Sequence, residues 1–319
     1  MTTVVTGGTG VVGGALLGHL ADGPTPVRAL VRSPGSTVPA GVEAVTGDIL
    51  DYPALVGAFA GADLVFHVAG VNKMCIPDAT EMYRVNVDGT RNVLKAAAEA
   101  GVRRVVYTSS AATIGEELGS IGNEETVHRG TFVSHYERSK YEGERIALTE
   151  GATEVVVVNP SSVQGPGRAT GTGKILLDLI AGRLSTVVDT RVSIVDIDDC
   201  ARGHVLASTN GQPGQRYILN SFSMTIQEAV GVLERVVGRS LRVRYLPAPV
   251  ALAGGTAIGA AYRLLRRQAP VCREMVRTLI HGHTYDGSRA ARELGLDYTP
   301  ATETLTRLIA WARSQGLVS

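Results

Sequence analysis

Along the first 160 residues, short runs of Val, Ile, Leu and Thr alternate with longer stretches whose apolar positions recur at helical spacing. The short runs fall at residues 2–6, 27–31, 42–46, 64–68, 104–108 and 154–159, and each predicts a β-strand. The stretches at 11–20, 52–59, 79–100 and 134–150 predict helices between them. Strands that are apolar throughout and separated by helices belong to a parallel sheet covered on both faces. Right-handed crossovers then give an α/β fold, a Rossmann-type doubly wound parallel sheet.

The pattern changes after Pro160. Residues 161–173 (SSVQGPGRATGTG) read as a loop, followed by a helix at 175–181, a strand near 192–195, a helix at 200–208 and a mainly helical tail. This predicts a dinucleotide-binding domain over 1–165, rejoined by 188–220, with 166–319 forming mainly a smaller, mostly helical substrate lobe. The strand around Val192 is expected to return to the large sheet. Residues 246–262 carry no charge but include two prolines and three glycines, short of the roughly 18–20 apolar residues a spanning helix needs. A buried or groove-lining helix is expected there.

Composition narrows the partners. With 31 Lys plus Arg against 30 Asp plus Glu, the net charge of +1 gives no reason to expect nucleic acid or an anionic membrane. The segment after Met1 (TTVVTGG) lacks the basic and apolar regions of a signal peptide, so a soluble, cytoplasmic protein is expected. Cys75, Cys200 and Cys272 are scattered and odd in number, which predicts a reducing compartment without disulfides. His281 and His283 flank a glycine with no Cys or acidic residue at zinc spacing, so they are expected to be surface histidines and no metal site is predicted.

The segment VVTGGTGVVGGALL carries the first chemistry. A strand runs into Gly7, Gly8, Gly10 and Gly13 and then into an apolar helix. Such glycines allow a tight turn, close approach to a pyrophosphate and helix–strand packing, while the helix N-terminus offers free N–H groups to the phosphates. NAD binders commonly place a carboxylate at the end of the second strand for the ribose 2′-hydroxyl; here Arg32 and Ser33 stand there. A guanidinium suits a 2′-phosphate, so NADP(H) is favoured over NAD(H). Asp48 and Ile49 follow the third strand, where a carboxylate can accept from the adenine amino group.

The second signal is Tyr136-Glu-Arg-Ser-Lys140. Spacing of i and i+4 places phenol and ammonium on one helix face, and only four of the 31 basic residues are lysines. A neighbouring ammonium is expected to lower the phenol's pKa, making it a proton donor to a carbonyl oxygen. Ser109 and Ser110 end the fifth strand, where a hydroxyl can hydrogen-bond the same oxygen.

In these motifs, together with HVAG (67–70), NVDGTRNVL, YTSSAATIG and NPSSVQGPG, the chain resembles the extended short-chain dehydrogenase/reductases over nearly its whole length. The resemblance implies a catalytic set of Ser110, Tyr136, Lys140 and Asn86. Ser110 rather than Ser109 is selected by its distance to Gly115, and Asn86 would act on Lys140 through a relaying water. It further implies that Val11, Val12, Val68, Ala69, Gly70 and Thr108 line the cofactor cleft, with Pro160, Ser161, Ser162 and Val163 bordering the nicotinamide. Lys73, Met74, Thr113, Gln164 and Arg168 would face substrate from loops. Dehydratases of the family carry an acidic pair where Ala111 and Ala112 stand, and sugar-nucleotide epimerases often read RYFNVYG near the position of Pro160. Both departures, with Arg32, point to a dihydroflavonol-4-reductase-like enzyme reducing a ketone or aldehyde on a small lipophilic molecule. An NAD-dependent epimerase and a non-catalytic NADP sensor remain as alternatives. The resemblance also implies a homodimer through the Tyr-bearing helix.

Overall fold

The computed structural model of the protein describes residues 2–150 and 153–318. The N-terminal half runs β1 (Thr3–Thr6), α1 (Val11–Ala21), β2 (Val27–Val31), β3 (Val42–Thr46), α2 (Tyr52–Phe59), β4 (Leu64–His67), α3 (Thr80–Tyr83), α4 (Gly89–Glu99), β5 (Arg104–Thr108), α5 (His135–Thr149) and β6 (Glu154–Pro160). After it come β7 (Ser162–Gln164), α6 (Gly171–Ile180), β8 (Thr186–Val188), β9 (Arg191–Asp196), α7 (Ile197–Asn210), β10 (Arg216–Leu219) and β11 (Phe222–Thr225). The chain ends with α8 (Ile226–Val237), β12 (Arg244–Leu246), α9 (Ala248–Leu264), α10 (Arg273–His281) and α11 (Ala301–Ser314).

Seven strands form one parallel sheet in the order β10-β6-β5-β4-β1-β2-β3. Strand alternation divides its side chains between two cores. Val5, Phe66, Val106 and Val158 point to the side covered by α1 and α7, meeting Leu16, Leu17 and Cys200. Their neighbours Val4, Val65, Val105 and Val157 point the other way, against Leu55, Phe59, Val93 and Leu94. The order of strands reverses between β1 and β4, and their C-terminal ends open the crevice where such sheets bind ligands.

A third core unites Leu176, Ile180, Ile226, Leu233, Leu305 and Leu308 from α6, α8 and α11. The capping box of Thr225 and Glu228 fixes where α8 begins. Helices α6 and α11 of this smaller core pack against β7, which follows directly on β6.

Three expectations are corrected and one is refined. The helix expected over 79–100 runs unbroken from Thr80 to Glu99, with a five-residue π-helical turn, Arg84–Asp88, between α3 and α4. The wider turn brings Asn86 into a buried position. The Val192 strand does not return to the large sheet. β9 pairs with β7 and β11, because the free edge of β6 is taken by β10, whose Tyr217, Ile218 and Leu219 are fully buried.

The cysteine expectation fails as well. Cys75 and Cys272 are joined by a disulfide across 197 residues, tying the segment after β4 to the start of α10; Cys200 alone is free, and it is buried. A separation of that length leaves no trace in local spacing. Finally, the apolar stretch forms α9, which buries only Ala251 and Gly255, against α10, and leaves Val250 57% and Ile258 40% exposed. Its small residues permit a close but narrow contact. Among the described residues, no helix is long and apolar enough to cross a membrane.

Candidate active site

The glycine loop is built by close approach. Gly7 adopts φ +74°, a left-handed conformation open to glycine, and a Cβ there would lie 2.5 Å from the Ala69 nitrogen. A Cβ on Gly13 would lie 2.2 Å from the Gly7 carbonyl oxygen, so α1 can begin directly over the turn only without a side chain. Gly10 stands at the N-cap of α1 with no side-chain cap, and the first turn holds no acidic residue. The first N–H groups of the helix therefore keep their capacity to bind an anion. A cleft of about 310 Å³ opens here, lined by Thr9, Gly10 and Val11 on one side and Pro166, Gly167 and Asp198 on the other. These features fit the diphosphate of a dinucleotide.

The remaining predicted cofactor residues gather along the same edge. Arg32 and Ser33 are exposed just past the end of β2. Asp48 accepts from the Leu50 nitrogen at 2.9 Å, and Ile49 is buried behind it. The Thr6 hydroxyl meets His67 at 2.8 Å, tying β1 to β4 directly below Val68 and Ala69. Thr108 ends β5, while Pro160, Ser161, Ser162 and Val163 carry the chain from β6 into β7. Gly70 passes over the catalytic cluster: a Cβ there would lie 3.2 Å from Asn86 Oδ1 and 3.7 Å from Lys140 Nζ.

Helix α5 delivers Tyr136 and Lys140. It is capped by Ser134, whose hydroxyl accepts from the Glu137 nitrogen at 3.1 Å. The Ser110 side chain lies close enough to the Tyr136 phenol to oppose its upward shift, and its hydroxyl accepts from the Ala112 nitrogen at 3.3 Å. Ser109, one residue earlier, gives its hydroxyl to Glu144. Of the two serines, only Ser110 is thus turned toward the tyrosine. Burial pushes the Tyr136 phenol up, while the Ser110 side chain and the Arg168 charge act in the other direction. The expected lowering by Lys140 is not what governs this phenol. The Lys140 ammonium is instead held by the Thr108 carbonyl at 2.7 Å, above the Tyr107 ring at 4.7 Å.

Burial brings Lys140 down to about 8. Below that pH the ammonium is charged and keeps its bond to Thr108; above it the proton is lost. For carbonyl reduction, kcat/KM is expected to fall as pH rises through about 8. A pH–rate profile checks this. Lys140→Arg, which stays charged, should flatten the alkaline limb, and an unchanged limb would assign the titration to another group.

Asn86 lies buried beside this cluster. Its Oδ1 accepts from the Val71 nitrogen at 2.8 Å, and its Nδ2 donates to the Val71 carbonyl and the Ser139 hydroxyl, both at 2.9 Å. The amide thus locks the segment after β4 onto α5. Gly143 permits that contact, since a Cβ there would lie 2.4 Å from the Asn86 carbonyl oxygen.

The residues expected to face substrate separate into two groups. Lys73 and Met74 lie in the segment after β4, with Lys73 exposed, and Arg168 directs its charge toward Tyr136. Thr113, by contrast, is fully buried, with its hydroxyl 2.6 Å from Glu144 and 2.8 Å from the Ser110 carbonyl. Gln164 is also fully buried, donating to Ser162 at 2.9 Å. Neither occupies an open loop, because the turn after Ser110 and strand β7 both pack into the interior.

Sequence reasoning missed Glu144, one turn beyond Lys140. Its buried Oε2 receives Ser109, Thr113 and Asn159 Nδ2, and its Oε1 lies 3.3 Å from Arg216. An acidic residue on an amphipathic helix looks like part of a solvated face. No local signal distinguishes this one.

A phosphate cradle at the switch point of a doubly wound sheet, next to a Ser–Tyr–Lys cluster, defines an NAD(P)-dependent oxidoreductase of the short-chain dehydrogenase/reductase type. The comparison with known families agrees: residues 3–219 match the NAD dependent epimerase/dehydratase family, and the chain belongs to it. It is 33% identical to a Synechocystis protein carrying the name dihydroflavonol 4-reductase, over 98% of this chain and 95% of that one. It is 32% identical to sterol demethylase protein B of Methylococcus capsulatus over the full length of both. Among solved structures, gox2253 superposes with a TM-score of 0.86 at 31% identity, covering 100% of this chain and 99% of that one.

Proposed function

We propose that the protein is an NADPH-dependent reductase of a ketone or aldehyde on a small lipophilic metabolite. The observation that carries the reading is the Ser110–Tyr136 hydroxyl pair, placed at the same sheet edge as the glycine cradle. A bound nicotinamide cofactor supplies the hydride in this chemistry. Ser110 orients the carbonyl oxygen and Tyr136 donates the proton to it. Lys140 holds its charge beside them and anchors the nicotinamide ribose, while Arg32 takes the 2′-phosphate. Relatives named for a sterol and a dihydroflavonol support a polycyclic, lipophilic substrate.

Titration of the purified protein with NADPH and NADH tests the reading. NADPH is expected to bind about tenfold or more tightly than NADH, as one charge-assisted contact of about 1.5 kcal/mol would give. Arg32→Ala should abolish the difference, and a screen of ketones should then show turnover. Copurified NAD that does not exchange would overturn the reading and favour a sugar-nucleotide epimerase.

A further inference from the structure

We propose that Glu116, His281 and His283 form a binding site for one divalent metal ion of the zinc class, outside the catalytic cluster. The histidines are not the surface pair the sequence suggested. Their side chains are 9% and 16% exposed, and the missing acidic partner comes from 165 residues away, with a side chain 1% exposed. Gly282 makes the convergence: its φ of +61° turns the chain at the end of α10 so that both imidazoles reach one side, with ring centroids 4.7 Å apart. Glu116 Oε1 lies 2.6 Å from His283 Nδ1 and 3.6 Å from His281 Nε2, and one donor atom from each residue falls within 4.8 Å of the others.

A second observation points to a ligand. Glu116 Oε2 and His283 Nε2 are buried without a hydrogen-bond partner, as is the hydroxyl of Tyr285, whose ring stacks on His283. Buried polar atoms without partners are uncommon and need an explanation. Arg129, which approaches the same loop, gives its guanidinium to Glu137 and to the Glu116 main-chain carbonyl. The carboxylate faces the two imidazoles and the Tyr285 phenol, and His281 Nε2 also donates to the Glu116 main-chain carbonyl at 3.1 Å. A metal ion would take the carboxylate and both rings as ligands, replacing the His283–Glu116 hydrogen bond and the bond from His281 Nε2 to the Glu116 carbonyl, and releasing the protons these nitrogens carry.

The donor set selects the ion. Two imidazoles and one carboxylate suit zinc or a similar first-row ion rather than magnesium or calcium, which prefer oxygen ligands throughout. Three protein ligands leave a fourth position for water or for a group on a bound molecule. The placement also gives the ion a structural consequence. Glu116 follows the turn that begins at Ser110, whereas the histidines close α10 in the smaller lobe, so the ion clamps the two lobes beside the catalytic edge.

The test uses the full-length, tag-free protein, stripped with EDTA and titrated with Co²⁺, then with Zn²⁺ in competition. One equivalent of Co²⁺ per chain is expected, with visible d–d absorption displaced by Zn²⁺. Glu116→Gln and His283→Ala should each weaken binding by about tenfold or more, whereas His19→Ala on α1 should not. Zn²⁺ should raise the melting temperature of the wild type and leave that of Glu116→Gln unchanged. The near-isosteric Glu116→Gln covers the case in which His283→Ala does not fold. Stoichiometric binding that survives Glu116→Gln, or a wild type that takes up no Co²⁺, would overturn the proposal.

Discussion

Replacing Tyr136 with Phe is expected to lower carbonyl turnover by about 10²–10⁴-fold, the usual contribution of a positioned general acid, while NADPH binding stays unchanged. The ring keeps its volume and its place on α5, so the packing around it is preserved. What is lost is the phenol that stands beside Ser110. Lys140 cannot stand in for it, because its ammonium is held at the Thr108 carbonyl and not at the place of the phenol. Ser110 remains, but a serine hydroxyl is a far weaker acid than a phenol. Single-turnover kinetics with NADPH, paired with a binding titration, separate the two effects. Unchanged turnover would falsify the assignment of the proton donor. Absence of turnover in both proteins, with tight cofactor binding in each, would favour a sensor over an enzyme.

The parts of the fold written in local pattern were legible in the sequence. Strands β2, β3 and β5 and helix α2 begin and end where alternation and apolar spacing place them, because those signals extend over only a few residues. The glycine loop was legible for a related reason. Its requirement is steric, and the absence of a Cβ at Gly7 and Gly13 is itself a mark in the sequence. Contacts between distant segments were not legible. The Cys75–Cys272 bond, the meeting of Glu116 with His281 and His283, and the pairing of β10 with β6 depend on the finished topology. The π-helical turn within 79–100 was hidden in another way, since one extra residue per turn barely alters an amphipathic pattern. Thr113 and Gln164 show the same limit from the side of the site. Motif position placed them near the chemistry, but only packing decides whether a polar side chain faces a cleft or the interior.

Glu144 carries that point into the second large prediction. Glu144→Ala is expected to cost about 3–5 kcal/mol of stability, the range for removing one partner of a buried ion pair. The carboxylate gathers Ser109 at the end of β5, Thr113 in the following turn, Asn159 on β6 and Arg216 on β10. Its removal takes the acceptor of the Ser109 hydroxyl from a site that is 3% exposed, strips one bond each from Thr113 and Asn159, and leaves the Arg216 guanidinium without this counter-charge. The loss also reaches the chemistry. Thr113 and Asn159 both hold the Ser110 carbonyl, at 2.8 and 3.2 Å, so loosening their second bonds to Glu144 is expected to widen the motion of the segment carrying the Ser110 hydroxyl. Glu144→Gln keeps an acceptor oxygen and the side-chain volume, so it should recover much of the stability. Urea denaturation and kcat measured on both variants test the two consequences together. If Ala and Gln destabilise equally, charge rather than acceptor geometry holds the cluster. If neither lowers stability by more than about 1 kcal/mol, the range of an exposed ion pair, the network does not fix Ser110.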